Sequence, residues 1–252
     1  MAIANPKPGG AIVLHAFDVD GPLYSRDIDI DFAAYLAKKG KFGKEISRQM
    51  VRKAELYSLG RMPYQQFAQE AISLFARGIR SQDAGDIIKE AELFVKSNKR
   101  LFHEGGIALV RRLGKQANVR IALVSTSPLV VISAIGKALG LRVDYVYGSA
   151  YRSREGKYTG EPITGEIVGY KKNALNALAV KFGVPNSSVL FYGNAVTDFA
   201  SAKAAGVRFR PMKPSKELAA QWKLHLAAKH VKSREASSKL RAKLSAGKSH
   251  LF

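Results

Sequence analysis

Two carboxylates stand two residues apart where an apolar run stops, in Phe17-Asp18-Val19-Asp20-Gly21-Pro22-Leu23. At the end of a parallel strand, both would face the crevice where open α/β sheets bind ligands. Like charges this close repel, so the pair needs a cation or a shared proton. A hard divalent cation such as Mg²⁺ takes oxygen donors of this kind. By itself an Asp-x-Asp-Gly run is also an ordinary turn, so the rest of the chain has to decide.

Three further segments carry candidate chemistry. Val124-Ser125-Thr126-Ser127-Pro128 ends a second apolar run just before a helical pattern. Hydroxyls and free backbone N–H groups at a helix start can hold a phosphate, although a serine there also works as a simple cap. Lys171 begins another helical pattern, against the helix dipole, which suggests that its charge is used elsewhere; Lys172 beside it leaves the choice between the two open. Tyr192-Gly193-Asn194-Ala195-Val196-Thr197-Asp198 ends a further run and adds an amide oxygen and an acid. His15, His103, His225, His230 and His250 show no metal-ligand spacing, and His15 reads as a sheet residue. With no cysteine there is no thiolate nucleophile or disulfide framework.

These segments need a sheet to bring them together. Ala11–Phe17, Val119–Val124, Val143–Tyr147 and Val189–Tyr192 are nearly continuous apolar runs, as strands covered on both faces are, and Val207–Phe209 is a weaker fifth. Helical patterns at Leu129–Leu139, Lys171–Phe182 and Asp198–Ala205 separate the later ones. Alternating strands and helices mean a parallel sheet with right-handed crossovers, so the expected class is α/β, a three-layer Rossmann-like sheet. Residues 24–104 differ. They read as four helices, near Asp29–Lys39, Lys44–Leu59, Pro63–Ala76 and Asp83–Ser97, with Gly40, Gly60 and Gly78 as stop signals. This segment is expected to be an inserted helical cap over the carboxyl edge of the sheet. The expected organisation is therefore a core of residues 1–23 and 105–212, a cap of 24–104 and a basic tail of 213–252.

Hydrophobic residues at 46% and charged residues at 24% of the 252 exclude wholesale disorder. Lys+Arg number 41 against 20 Asp+Glu, a formal charge of +21. Such a charge favours anionic partners, whether phosphorylated metabolites, nucleic acid or an acidic membrane surface. The tail from Lys213 holds 10 Lys+Arg and 2 Glu. Its Leu218, Trp222, Leu226 and Val231 allow a docked amphipathic helix, and fraying is expected beyond Lys232. The most apolar window, Ile121–Leu141, is too broken by serines, Pro128 and Lys137 to span a membrane. A soluble, cytoplasmic protein is expected.

Taken in order, the motifs resemble the haloacid dehalogenase superfamily of phosphotransferases, in its phosphoserine-phosphatase-like branch. The resemblance rests on Phe17 to Gly21, the helical insertion after it, Leu123 to Pro128, the hairpin-like Gly156-Lys157-Tyr158-Thr159-Gly160, Lys171 with Leu175 and Leu178, and Tyr192-Gly193-Asn194. It implies a Mg²⁺-dependent phosphomonoester hydrolase. Asp18 would be the nucleophile, Asp20 the general acid and base, and Ser125 and Lys171 would meet the phosphoryl group. Asp18, Asp20 through its carbonyl, Asn194 and Asp198 would hold the metal. Ser125, Thr126, Lys171, Arg26 and Asp27 would bind a small phosphorylated substrate; a phosphoserine-like one stays open, with Arg61 or Arg77 as candidate head-group cations. Two departures stand out: Asn194 where the family usually has Asp, and Pro22 where Thr is common. The alternative is a catalytically weakened protein on the same fold that binds nucleic acid or another polyanion through its basic surface and tail.

Overall fold

The computed structural model describes residues 11–163 and 171–226. Five strands form one parallel sheet: β1 (Val13–Phe17), β2 (Val119–Pro128), β3 (Tyr145–Ser149), β6 (Val189–Gly193) and β7 (Arg208–Pro211), in the order β3-β2-β1-β6-β7. β4 (Tyr151–Arg154) and β5 (Lys157–Pro162) make a separate antiparallel hairpin. The order reverses direction at β1, which has β2 on one side and β6 on the other. The ends of these three strands therefore meet at the crevice that such a switch creates, and they carry Asp18, Ser125 and Asn194.

The helices between β1 and β2 are α1 (Ile28–Lys38), α2 (Lys44–Ser58), α3 (Tyr64–Gly78), α4 (Ala84–Ser97) and α5 (Glu104–Leu113). The first four match the sequence expectation to within a residue or two at most ends. Pro63 is the cap of α3 rather than a first-turn residue, and Asp83 caps α4 by accepting from the Asp86 N–H. α5 is not legible in the periodicity. Gly105 and Gly106 open it and depress helix propensity. Gly106 is required there by packing, since a Cβ would come within 2.9 Å of the Pro22 carbonyl.

β2 also runs four residues further than expected. Ser125 to Pro128 stay extended because their polar groups are tied to neighbouring elements: the Ser125 and Ser127 hydroxyls donate to Asp20, and Ser149 Oγ to the Thr126 carbonyl. α6 (Leu129–Leu139), α7 (Lys171–Lys181) and α8 (Val196–Ala205) follow, and a last helix occupies 216–226. That helix buries Leu218 completely and sets Trp222 against Phe199 and Phe209. Val231 lies outside the described residues, as does the expected fraying beyond Lys232.

The apolar side chains form two large clusters. One lies on the sheet face of Ala16, Val124 and Phe191, under α7 and α8. The other starts from Phe17, Ile121 and Leu123 on the opposite face, continues through α5 and α6, and runs without a break into Phe32, Phe75 and Phe94 of the inserted helices. The insertion thus shares its core with the sheet. It is fixed a second time by the hairpin: Ser81 donates to the Tyr158 carbonyl, Tyr158 to that of Gln82, and Ala84 to that of Gly156. Glu155 and Gly156, both at positive φ, make the tight turn that aims the hairpin.

Phe32 is fully buried and packs on Phe75 and Phe94, at 6.0 and 5.3 Å between ring centroids. Phe32→Ala should lower stability by about 3–5 kcal/mol, read as a drop in the urea midpoint with unchanged slope. A change in slope with no midpoint shift would mean that the insertion does not unfold together with the sheet.

Candidate active site

The loop after β1 holds the first two carboxylates. Asp18 is 4% exposed. Its Oδ1 accepts from the Val19 N–H at 2.9 Å and pairs with Lys171 Nζ at 2.8 Å. Its Oδ2 meets no hydrogen-bond donor among the described residues, so one oxygen is left open for chemistry. The turn that follows is closed by Gly21 donating to the Tyr24 carbonyl and by Leu23 and Tyr24 donating to that of Val19. None of these bonds needs an N–H at position 22, so Pro22 costs the turn nothing. Gly21 sits at φ +93°, and a Cβ there would collide with the Asn194 side chain. The amide of Asn194 is thereby pressed onto the backbone beside Asp20.

Asp20 is held on both oxygens. Oδ1 accepts from the Ile28 N–H at the start of α1, at 2.8 Å; Oδ2 accepts from Ser127 Oγ at 2.8 Å and Ser125 Oγ at 3.1 Å. Burial raises the Asp20 carboxyl above the usual range, and these donors only partly oppose the rise. Ser125, expected to meet a phosphoryl group, donates to Asp20 here and is 1% exposed. Ser127 was visible in the motif but had no expected role; its hydroxyl can be placed only once β2 is known to remain extended past Val124.

Lys171 starts α7 and lies between two acids. Nζ is 2.8 Å from Asp18 Oδ1 and 2.7 Å from Asp198 Oδ1. Burial alone would lower its pKa, but the Asp18 and Asp198 carboxylates outweigh that and hold it raised. Its ammonium is therefore charged, which explains why a lysine opens this helix against the dipole. Lys172, next to it, is exposed. Asp198 is 1% exposed and uses its second oxygen on the Asn194 and Ala195 N–H groups, both at 3.0 Å. Both of its oxygens accept from protein donors, so that it caps α8 and anchors Lys171. Burial, then Asp198, push the Asp18 carboxyl up, while Lys171 opposes them.

Two buried carboxyls, Asp18 and Asp198, and the half-buried Asp20 thus surround one ammonium. The oxygen donors left to a cation are Asp18 Oδ2 and the Asn194 amide, with the Asp20 carbonyl nearby. An all-oxygen set of this kind fits a hard divalent ion. It carries only one formal charge, and no group of three or more His, Asp or Glu among the described residues could hold a metal.

A cavity of about 410 Å³ opens beside Lys171, lined also by Thr126, Lys172, Tyr64 and Gln65. The Tyr64 hydroxyl, at the start of α3, is 3.5 Å from Thr126 Oγ1 and closes the insertion onto the sheet. Nothing in the sequence marks Tyr64 except its place after Pro63. Asp27 is the exposed residue before α1, with its carboxyl raised to about 6 by burial and by Asp20 and Asp31. Arg26 is paired with Asp31 at 2.8 Å. Arg61 is exposed, and Arg77 lines a separate groove with Gln49, Lys53 and Glu70. Neither lines the cavity beside Lys171.

A model of haloacid dehalogenase-like hydrolases matches residues 16–203. No curated protein matches the chain. Among solved structures, a protein of unknown function from Bordetella pertussis Tohama I is 24% identical, with a TM-score of 0.67 over 86% of this chain and 96% of its own. A phosphoserine phosphatase solved as a phospho-aspartyl intermediate analogue is 20% identical, with a TM-score of 0.55 over 79% and 86%. A probable phosphoserine phosphatase from Vibrio cholerae is 18% identical, with a TM-score of 0.55 over 82% and 58%.

Lys171→Met should cost about 3–5 kcal/mol near neutral pH, because it leaves Asp18 and Asp198 buried against each other. Without the ammonium the Asp18 carboxyl rises further, so the penalty is present above its unfolded value and fades as pH falls toward about 4. Denaturation of wild type and variant across that range measures it; a pH-independent difference would mean the bridge is electrostatically idle.

Proposed function

The chain belongs to the haloacid dehalogenase-like hydrolase family, and we propose that it is a Mg²⁺-dependent phosphomonoester hydrolase acting on a small phosphorylated metabolite through an aspartyl-phosphate. The observation that carries the reading is Asp18, held on one oxygen by Lys171 and, among the described residues, open on the other. A carboxylate can attack a phosphate dianion only if the charge between them is offset, and Lys171 stands where it does so.

Asp18 Oδ2 attacks phosphorus while the bond from phosphorus to the leaving oxygen breaks. Asp20, fixed by Ile28, Ser125 and Ser127, gives that oxygen its proton. It then takes a proton from water as the water attacks the aspartyl-phosphate, releasing inorganic phosphate and restoring Asp18. Thr126 and Lys171, which both line the cavity, would meet the phosphoryl oxygens. Mg²⁺ held by Asp18, the Asp20 carbonyl and Asn194 would supply further charge neutralisation. Asp198 serves this set through Lys171. With an amide at position 194, the metal site has less charge than two carboxylates would give, so weak affinity for the ion follows.

The absence of Arg61 and Arg77 from the lining argues against an amino-acid carboxylate clamp built from either. A reading as a weakened enzyme draws on Asn194 alone, whereas Asp18, Asp20 and Lys171 are all in place for turnover.

Release of phosphate from an aryl phosphate and a panel of metabolite phosphates tests the proposal. Turnover should need Mg²⁺ and stop with EDTA. Asp18→Asn should lower kcat by at least roughly a thousandfold, as removal of a covalent nucleophile does. Turnover unchanged in that variant, or none on any substrate, would overturn the reading. Asn194→Asp should lower the Mg²⁺ concentration needed for half-maximal rate several-fold; no change would remove Asn194 from the ligand set.

A further inference from the structure

One charged surface takes no part in this chemistry. The sheet register sets His15, Leu190 and Arg208 in one row and Phe17, Tyr192 and Arg210 in the next, on the same face of β1, β6 and β7. α5 lies on this face, with Ile107, Val110 and Leu113 packed into the cluster that contains Phe17 and Tyr192. Arg112, near the end of α5, acts on the Tyr192 hydroxyl together with Arg208 and Arg210. All three arginines are exposed. None forms an ion pair among the described residues. His15 is hydrogen-bonded to Tyr192 at 3.0 Å, and burial, then the Arg208 guanidinium, push its pKa down.

We propose that the face bearing Arg112, Arg208 and Arg210 is a docking surface for the phosphate backbone of nucleic acid. Two arginines two residues apart on one strand face stand about 6.6 Å from each other, a spacing comparable to that of successive phosphates along a strand. Guanidinium forks suit phosphate oxygens. β7 is an edge strand, and charges on an edge also block unwanted pairing. That role would need only the strand itself, whereas here a helix contributes a third arginine to the same spot. The final helix cannot cover the patch, because it packs with Phe199 and Phe209 on the opposite face. Residues 227–252, with seven Lys+Arg and one Glu, bring little negative charge to it. Tyr192 is 2% exposed, so no ring is offered for base stacking and binding would be indifferent to sequence. An anionic bilayer is disfavoured because none of the large exposed apolar side chains of the described residues lies on α5 or β7.

Fluorescence anisotropy of the full chain with a labelled mixed-sequence RNA, in single-stranded and duplex form, over a salt series tests this. Affinity should fall linearly in log–log form. Arg112→Gln/Arg208→Gln/Arg210→Gln should flatten that slope by about two to three, with phosphatase rate and Tm unchanged. Lys44→Gln/Lys96→Gln/Lys99→Gln, which removes the same charge from the insertion, should leave the slope near wild type. Equal effects of the two triple variants would reduce the patch to diffuse charge. Loss of binding only on Lys239→Gln/Arg241→Gln/Lys243→Gln would move the site to the tail. Arginine-dependent binding to phosphatidylserine vesicles without RNA binding would make the partner a membrane. Each of these three results overturns the proposal.

Discussion

The molecule is organised around one buried ammonium between two buried carboxylates. Lys171 can remain charged out of water only because Asp18 and Asp198 are within 2.8 Å, and each acid in turn would repel the other without it. The three residues come from the end of β1, the start of α7 and the first turn of α8. The sheet must therefore have β1 beside β6, and both helices must begin at the same edge. The packing of Ala16, Leu175, Leu178 and Phe191 beneath them sets the position of those helix starts.

A second constraint acts on Asp20. Its hydrogen bonds come from β2 through two serines and from α1 through a backbone N–H. The same carboxylate thus joins the sheet to the first inserted helix. A proton-transfer group needs a fixed direction more than it needs charge; here three donors on two elements provide one. Gly21 has a related part, since only a residue without a side chain allows the backbone and Asn194 to come so close at that φ.

The strands, the four inserted helices and the acids at the strand ends can all be read from the sequence, because each leaves a local trace: an apolar run, a 3.6-residue period, a glycine stop. What escaped the sequence depends on contacts between distant segments. α5 is hidden because Gly106, demanded by the Pro22 carbonyl, looks like a helix breaker. The extension of β2 depends on Ser149, more than twenty residues away. The partnership of Asp198 with Lys171 depends on where α7 and α8 begin relative to each other, and the reach of Tyr64 to Thr126 on how the insertion folds back. No spacing rule encodes either. The Lys at the head of α7 was the one anomaly visible beforehand, and its explanation is the bridge.

The hairpin anchors the insertion unevenly. Near the α3–α4 connection it is stitched to β4 and β5 through the backbone of Ser81, Gln82 and Ala84. Its far end, where α2 passes to α3 through Leu59, Gly60 and Arg61, is exposed and meets the sheet side through the long Tyr64–Thr126 contact. A molecule leaving the cavity would therefore pass beneath that loose lip, with the stitched side acting as the hinge. Departure of the product, rather than bond breaking, would then be governed by how often a single tyrosine lets go.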